Sequence, residues 1–197
     1  SLMLGLADVV KQATDAFNAY DHTKALEVAE QFFWNFTDNY LELVKERAYG
    51  QGGVTEDQCA SAAIALRKAL HGMLRLFAPF LPYATDEVWS WWQVDAGSIH
   101  RAAWPTPEEF SAGQDLANAD LLPLATTALF RLRKAKSDAQ VSMKADVQSA
   151  TLVSTEAQQA KLRLFASDLR AVGRIHELDF EIGEDIDLKN FSLFEEN

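Results

Sequence analysis

Residues 55–82, TEDQCASAAIALRKALHGMLRLFAPFLP, decide the architecture. Thr55-Glu56-Asp57-Gln58 is a capping box, in which the threonine oxygen accepts from the Gln58 amide and the glutamine side chain reaches back. Leu66, Leu70, Met73, Leu74 and Phe77 then recur at three- and four-residue steps, the stripe of a helix buried along one face. Pro79 and Pro82 are expected to end it, and Thr85 to cap a shorter helix carrying Val88, Trp89 and Trp92. Upstream the same periodicity appears twice. Leu6, Val9, Val10, Ala13, Phe17 and Tyr20 mark one helix. After Asp21-His22-Thr23, a second runs through Leu26, Ala29, Phe33, Phe36, Tyr40, Leu43 and Val44 to Arg47. Gly50-Gln51-Gly52-Gly53 stops it, glycine tolerating the positive φ of a helix end. Long helices joined by short turns pack antiparallel, so residues 1–95 are expected to form an up-down bundle.

From residue 96 the texture changes. Ser98 to Trp104 reads as short and extended, closed by Pro105 and Pro107. A helix is expected from Asp120 to Ser137, with Pro123 tolerable in its first turn. Val147 to Val153 is rich in β-branched residues, as strands are. Thr155-Glu156-Ala157-Gln158 is a second capping box, opening a helix through Leu162, Phe165, Leu169 and Val172. Leu178, Phe180 and Ile182 alternate with acidic residues in the period of two of a half-buried strand. Strand, helix and strand within so few residues form a βαβ unit with parallel pairing. Gly183 to Asp187 reads as an irregular tail. The expected fold is therefore mainly α: a helical bundle over 1–95, followed by a small α/β subdomain over 96–197.

Composition narrows the function. Of 197 residues, 48% are hydrophobic and 24% charged, which excludes a disordered chain, and no apolar run is long enough to cross a membrane. The net charge of −11 speaks against nucleic acid, whose binding rests on cations. That charge is uneven, however: residues 1–60 carry −6 and 177–197 carry −7, while the middle is slightly positive. Cys59 is the single cysteine, so no internal disulfide can form, and a reducing cytoplasmic compartment is expected. The first residues lack the basic segment and cleavage site of a signal peptide. The chain begins without Met, as an excised fragment does.

No reaction centre can be assembled. The sequence holds no glycine-rich phosphate loop and no Gly-x-Ser-x-Gly elbow, and His22, His71, His100 and His176 share no metal-ligand spacing. His71 flanks the buried stripe, and Cys59 lies among small residues as a core cysteine would. Glu184, Asp185 and Asp187 lack the other ligands of a calcium loop and read as a solvated acidic tail. The basic residues are more informative. Lys45, Arg47 and Tyr49 precede the glycine turn and place two cations and an aromatic at one helix end, suited to phosphate contacts and one stacked base. Lys45 and Arg47 also complement the helix dipole there. Arg131, Arg133, Lys134, Lys136 and Lys144 give residues 130–144 a charge of +4. Arg163, Arg170 and Arg174 lie at seven- and four-residue steps and are expected on one helix face, either along an RNA backbone or simply solvated. Trp34, Trp89 and Trp92 lie in or beside apolar stripes and read as core, whereas Trp91 falls off the stripe.

Three strings carry a family resemblance. Phe32-Phe33-Trp34-Asn35-Phe36-Thr37-Asp38-Asn39-Tyr40-Leu41-Glu42-Leu43-Val44-Lys45 resembles a helix of the anticodon-binding domain of class I aminoacyl-tRNA synthetases. Leu76-Phe77-Ala78-Pro79-Phe80-Leu81-Pro82-Tyr83-Ala84-Thr85-Asp86-Glu87-Val88-Trp89 is similar to that domain's "HPF-P-TEELW" segment, with Ala78 for the usual His and Asp86 for a Glu. Gly97-Ser98-Ile99-His100-Arg101-Ala102-Ala103-Trp104-Pro105 resembles the "SI…A.WP" stretch that follows in valyl-tRNA synthetases. The resemblance covers residues 1–176 and weakens through the α/β part.

It implies a tRNA anticodon stem/loop-binding module, with Lys45, Arg47, Tyr49, Arg131, Arg133 and Lys136 as RNA-binding candidates. The implied partners are tRNA, expected to be valine-specific, and the catalytic domain of the same polypeptide. A monomer is expected. The synthetase's HIGH and KMSKS motifs are not in this sequence, so the fragment itself is expected to be non-catalytic, with ATP and magnesium used elsewhere in the parent ligase and no cofactor or metal here. The alternative is a structural brace within an isoleucyl- or related class I synthetase, anticodon recognition lying upstream.

Overall fold

Thr55 and Gln58 close their box as expected: the Gln58 amide donates to Thr55 Oγ1 at 3.3 Å and the Thr55 amide to Gln58 Oε1 at 3.0 Å. This comes from a computed structural model, which describes residues 1–51 and 53–194. Gly52 of the glycine turn and the last three residues of the expected subdomain lie outside the described residues. The helices are α1 (Leu2–Asn18), α2 (His22–Asn35), α3 (Leu41–Ala48), α4 (Glu56–Phe77), α5 (Pro82–Ser90), α6 (Pro107–Ser111) and α7 (Leu121–Asp138). Then follow β1 (Val147–Ser154), α8 (Glu156–Leu162), α9 (Ala166–Gly173), β2 (Ile175–Ile182) and β3 (Asp187–Leu193). A helical bundle with a small α/β part is thus the architecture.

The chain divides into two compact units, and not at residue 95. One unit joins Ser1–Asp38 to Ser61–Ala119, and the other joins Asn39–Ala60 to Asp120–Asn197. The physical reason lies in partner choice. The face of α3 built from Leu43 and Val44 is fully buried and packs on α9, far along the chain, whereas Phe110 of α6 is buried in the unit that holds α1.

In the first unit, α1 and α2 pack across a three-residue turn, burying Leu6, Val10 and Ala13 of one and Ala25, Val28 and Ala29 of the other. Asp21 caps α2 by accepting from the Lys24 amide at 2.9 Å. Gly72 of α4 faces this core, where a Cβ would stand 2.8 Å from the Phe110 ring and 2.9 Å from Leu6. Trp89, Leu74, Ala78 and Ile99 form a second cluster, and the Trp89 indole donates to Gly97 O at 3.1 Å. Arg75 is a buried cation that sequence periodicity hid. Its guanidinium grips both oxygens of Glu109, at 2.6 and 3.3 Å, and the Ala103 carbonyl.

Several local expectations are corrected here. Pro82 opens α5 at its first position, where its missing amide is harmless, instead of ending α4. Thr85 is therefore inside α5, its hydroxyl donating to Leu81 O, and not a cap. Ile99–Arg101 is a 3₁₀ turn and not extended, because Asp86 accepts from both Ser98 Oγ and the Ile99 amide. Trp34 is 53% exposed, its indole donating to Glu30 on its own helix, so it is not core.

The second unit is built on a sheet of order β2-β1-β3. β1 pairs parallel with β2, from Val147↔Ile175 to Ser154↔Ile182, through the α8–α9 crossover the sequence predicts. The stretch 183–186 is irregular as expected, and from Asp187 the chain adds a strand not foreseen from the sequence, β3, antiparallel to β1 from Val153↔Asp187 to Val147↔Leu193. Its alternation is weak because most of its residues are half-buried or exposed, as an edge strand permits. The helix predicted to run from 156 to 172 is broken by a 3₁₀ turn at Arg163–Phe165. Likewise the predicted helix through Arg47 contains a π-helical turn at Phe36–Tyr40. Leu129 and Leu132 of α7, Leu152 of β1, Leu162 of α8, Leu169 of α9 and Ile175 of β2 fill the core.

Candidate nucleic-acid interface

α3 ends as its sequence dictates. Gly50 takes φ +67°, and the Gln51 amide returns to Glu46 O at 2.9 Å, a six-to-one bond that satisfies a terminal carbonyl. This fixes Tyr49 as the last helical-like residue, one turn beyond Lys45 on the same face. Tyr49 is 73% exposed, and Lys45 is exposed beside Glu42, 3.5 Å away on the same helix.

Arg47 points the other way. Its Nη2 donates at 2.7 Å to Asp168 of α9, a residue 4% exposed, while its Nε is buried with no partner among the described residues. Burial pushes the Asp168 carboxyl up to about 6, against the pull of Arg47. Burial also raises the Tyr40 phenol beside this pair. Arg47 therefore joins α3 to α9 and is not presented to solvent.

Three of the cations of α7 are also engaged within the chain, while Lys134 is exposed. Lys136 is 2% exposed, its ammonium donating to Met143 O at 2.9 Å and Ala145 O at 2.7 Å, and burial lowers its pKa. It serves as a clamp on the loop into β1, which corrects its assignment as an RNA ligand. Arg131 donates to Ile186 O at 3.0 Å and lies 3.9 Å from Asp187, so it holds the approach to β3. Arg133 donates to Asn39 Oδ1 at 3.0 Å. Of the six candidates, Lys45 and Tyr49 alone are presented together, and Arg131, Arg133 and Lys136 do not join them.

Packing of α3 on α9 brings a different pair forward. Glu46 of α3 lines an open groove of about 570 Å³ with Ser167 and Arg170 of α9, Arg174, Asp146 and His176. Arg170 donates to His176 O at 2.6 Å and Ile175 O at 3.5 Å. Arg174 donates to both oxygens of Asp146, at 2.8 and 3.3 Å. That contact holds the Asp146 carboxyl below its ordinary range and raises the guanidinium. Arg163 is separated from them by the 3₁₀ turn and lies over the Phe180 ring, 4.5 Å from its centre. The four-residue spacing of 170 and 174 was legible in the sequence. The partnership with Glu46 was not, because it needs a contact across some 120 residues.

Among the described residues no group of three or more His, Cys, Asp or Glu could hold a metal ion. No helix among them is long and apolar enough to cross a membrane.

Comparison with known proteins identifies the family. The chain is 49% identical over 189 residues to a valine–tRNA ligase of Thermobifida fusca, covering 96% of this chain and 21% of that protein. It is 47% identical over 193 residues to the valine–tRNA ligase of Salinispora tropica, covering 91% of this chain and 22% of the relative. For that of Leifsonia xyli the identity is 46%, covering 98% and 22%. The chain thus spans about a fifth of the length of these relatives. A family model described as the anticodon-binding domain of tRNA ligase matches residues 2–151. With three-quarters of its length inside that match, the chain belongs to the anticodon-binding domain family of tRNA ligases.

Proposed function

We propose that this chain is the tRNA anticodon stem/loop-binding module of a valine–tRNA ligase and prefers valine tRNA. The observation that supports the reading is the exposed pair at the end of α3, a lysine and a tyrosine sharing one face, in a chain of the anticodon-binding family. The ammonium suits a phosphate and the phenol ring suits an unstacked base. Aminoacylation, with its ATP and magnesium, belongs in this reading to the rest of the ligase, which acts as a cytoplasmic monomer. A brace within the synthetase is the second reading, favoured by the inward turn of Arg47, Arg131 and Lys136.

Binding of the 197-residue chain to valine tRNA and to an anticodon-swapped tRNA, from low to physiological salt, separates the two. Weak, salt-sensitive binding that prefers the valine anticodon is expected, weak because the chain carries −11. Binding indifferent to the anticodon moves recognition elsewhere and leaves the brace.

A further inference from the structure

Arg170 combines exposure with a fixed position. It is exposed and makes no ion pair among the described residues, yet it is held in place by two backbone carbonyls, at 2.6 and 3.5 Å. Carbonyls fix a guanidinium without neutralising it. Its Nη1 has no partner among the described residues, and the same is true of Nη1 on Arg174. An arginine fork carries five N–H donors, so each side chain keeps donors for a further acceptor.

The backbone at this point is unusual. Arg174 adopts φ +53°, in the left-handed region where a glycine costs least. The glycine stands one residue earlier instead: a Cβ on Gly173 would lie 2.4 Å from Leu132 and 2.9 Å from Ile175. Close packing thus takes the glycine, and an arginine bears the strained conformation that turns it beside Asp146 at the groove. The groove is open and lined largely by polar side chains, unlike the enclosed apolar pockets that take small molecules.

We propose that the groove formed by Arg170 and Arg174 beside Glu46 binds phosphodiester oxygens of the RNA backbone. This deepens the tRNA-binding reading and rests on it. Arg170 supplies a pre-positioned, uncompensated charge, and Arg174 exchanges part of its contact with Asp146 for a phosphate oxygen. Glu46, lining the same groove, opposes the phosphate and weakens binding.

The test is tRNA affinity of the full chain against salt, for four variants. Arg170→Ala is expected to weaken binding about fivefold and lower the salt slope by about one. Arg174→Gly, which suits the left-handed backbone and so keeps the fold, is expected to weaken it about threefold. Glu46→Gln is expected to tighten binding two- to threefold, roughly, while Glu184→Gln, with the same change of net charge outside the groove, leaves it near wild type. The Nε–H resonances of Arg170 and Arg174 are followed in parallel as inorganic phosphate is added, and both are expected to shift. Wild-type tRNA binding unaltered by Arg174→Gly and Glu46→Gln overturns the groove and leaves the tRNA reading standing. Phosphate shifts without any tRNA binding overturn the RNA assignment and that reading together, leaving a site for free anions. Silence in both overturns everything proposed for this face.

Discussion

Asp168 sits almost wholly out of water, so its charge is costly even with Arg47 at 2.7 Å. Its folded carboxyl titrates at about 6, above the ordinary carboxylate range. Between about pH 4 and 6 the native chain therefore holds a proton that the unfolded chain has released. The stability this group contributes is present below that window and is lost as the pH rises through 6. Urea midpoints measured across pH 4–7 should fall more steeply for wild type than for Asp168→Asn, and parallel curves would show that Asp168 does not titrate in this range. The two tryptophans next to apolar stripes make a second contrast. Trp89→Ala should cost about 3–5 kcal/mol, since the ring is 3% exposed and its N–H is bonded. Trp34→Ala should cost about 1 kcal/mol, the worth of its edge contact with Phe33 at 5.2 Å. Thermal denaturation checks both. A stripe shows which side of a helix is apolar. It does not show that a neighbouring element covers the whole of that side, and Trp34 lies on the uncovered part.

Two helix starts were readable because a cap is a local bond, whereas that of α5, expected at Thr85, lies at Pro82. Thr55 and Thr155 each pair with the glutamine three residues on, as their spacing predicts. Interruptions were not readable. The π turn at Phe36–Tyr40 and the 3₁₀ turn at Arg163–Phe165 arise in runs whose apolar spacing reads as continuous helix. Nothing in the local spacing marks either break. The second of them decides which arginines share the groove. Gly173 depends on its neighbours in space: a Cβ there would meet Leu132, far along the chain, as well as Ile175. Gly173→Ala should destabilise by about 1–3 kcal/mol through that clash, although alanine is the better helix former. An unchanged urea midpoint would mean that α7 and α9 give way easily.

Charge over the whole chain is −11, so contact with RNA in the proposed reading rests on the few cations that point outward. Lys45→Ala should lower the salt slope of tRNA binding by about one, because Lys45 is exposed. Lys136→Met should leave that slope unchanged and cost about 2 kcal/mol of stability, by stranding two carbonyls. A slope that moves with Lys136 and not with Lys45 would reverse these roles. The bundle, the βαβ crossover and the family were legible in the sequence, whereas the division into units was not, since it depends on α3 leaving its sequence neighbours for α9. That pairing has a consequence during synthesis. α3 is complete at Ala48, but α9 ends at Gly173, some 120 residues later. At about 5–20 residues per second, the apolar face of Leu43 and Val44 waits roughly 6–25 seconds for its cover to leave the ribosome. For that interval the nascent chain offers a sticky surface to chaperones, and translation speed becomes a determinant of yield.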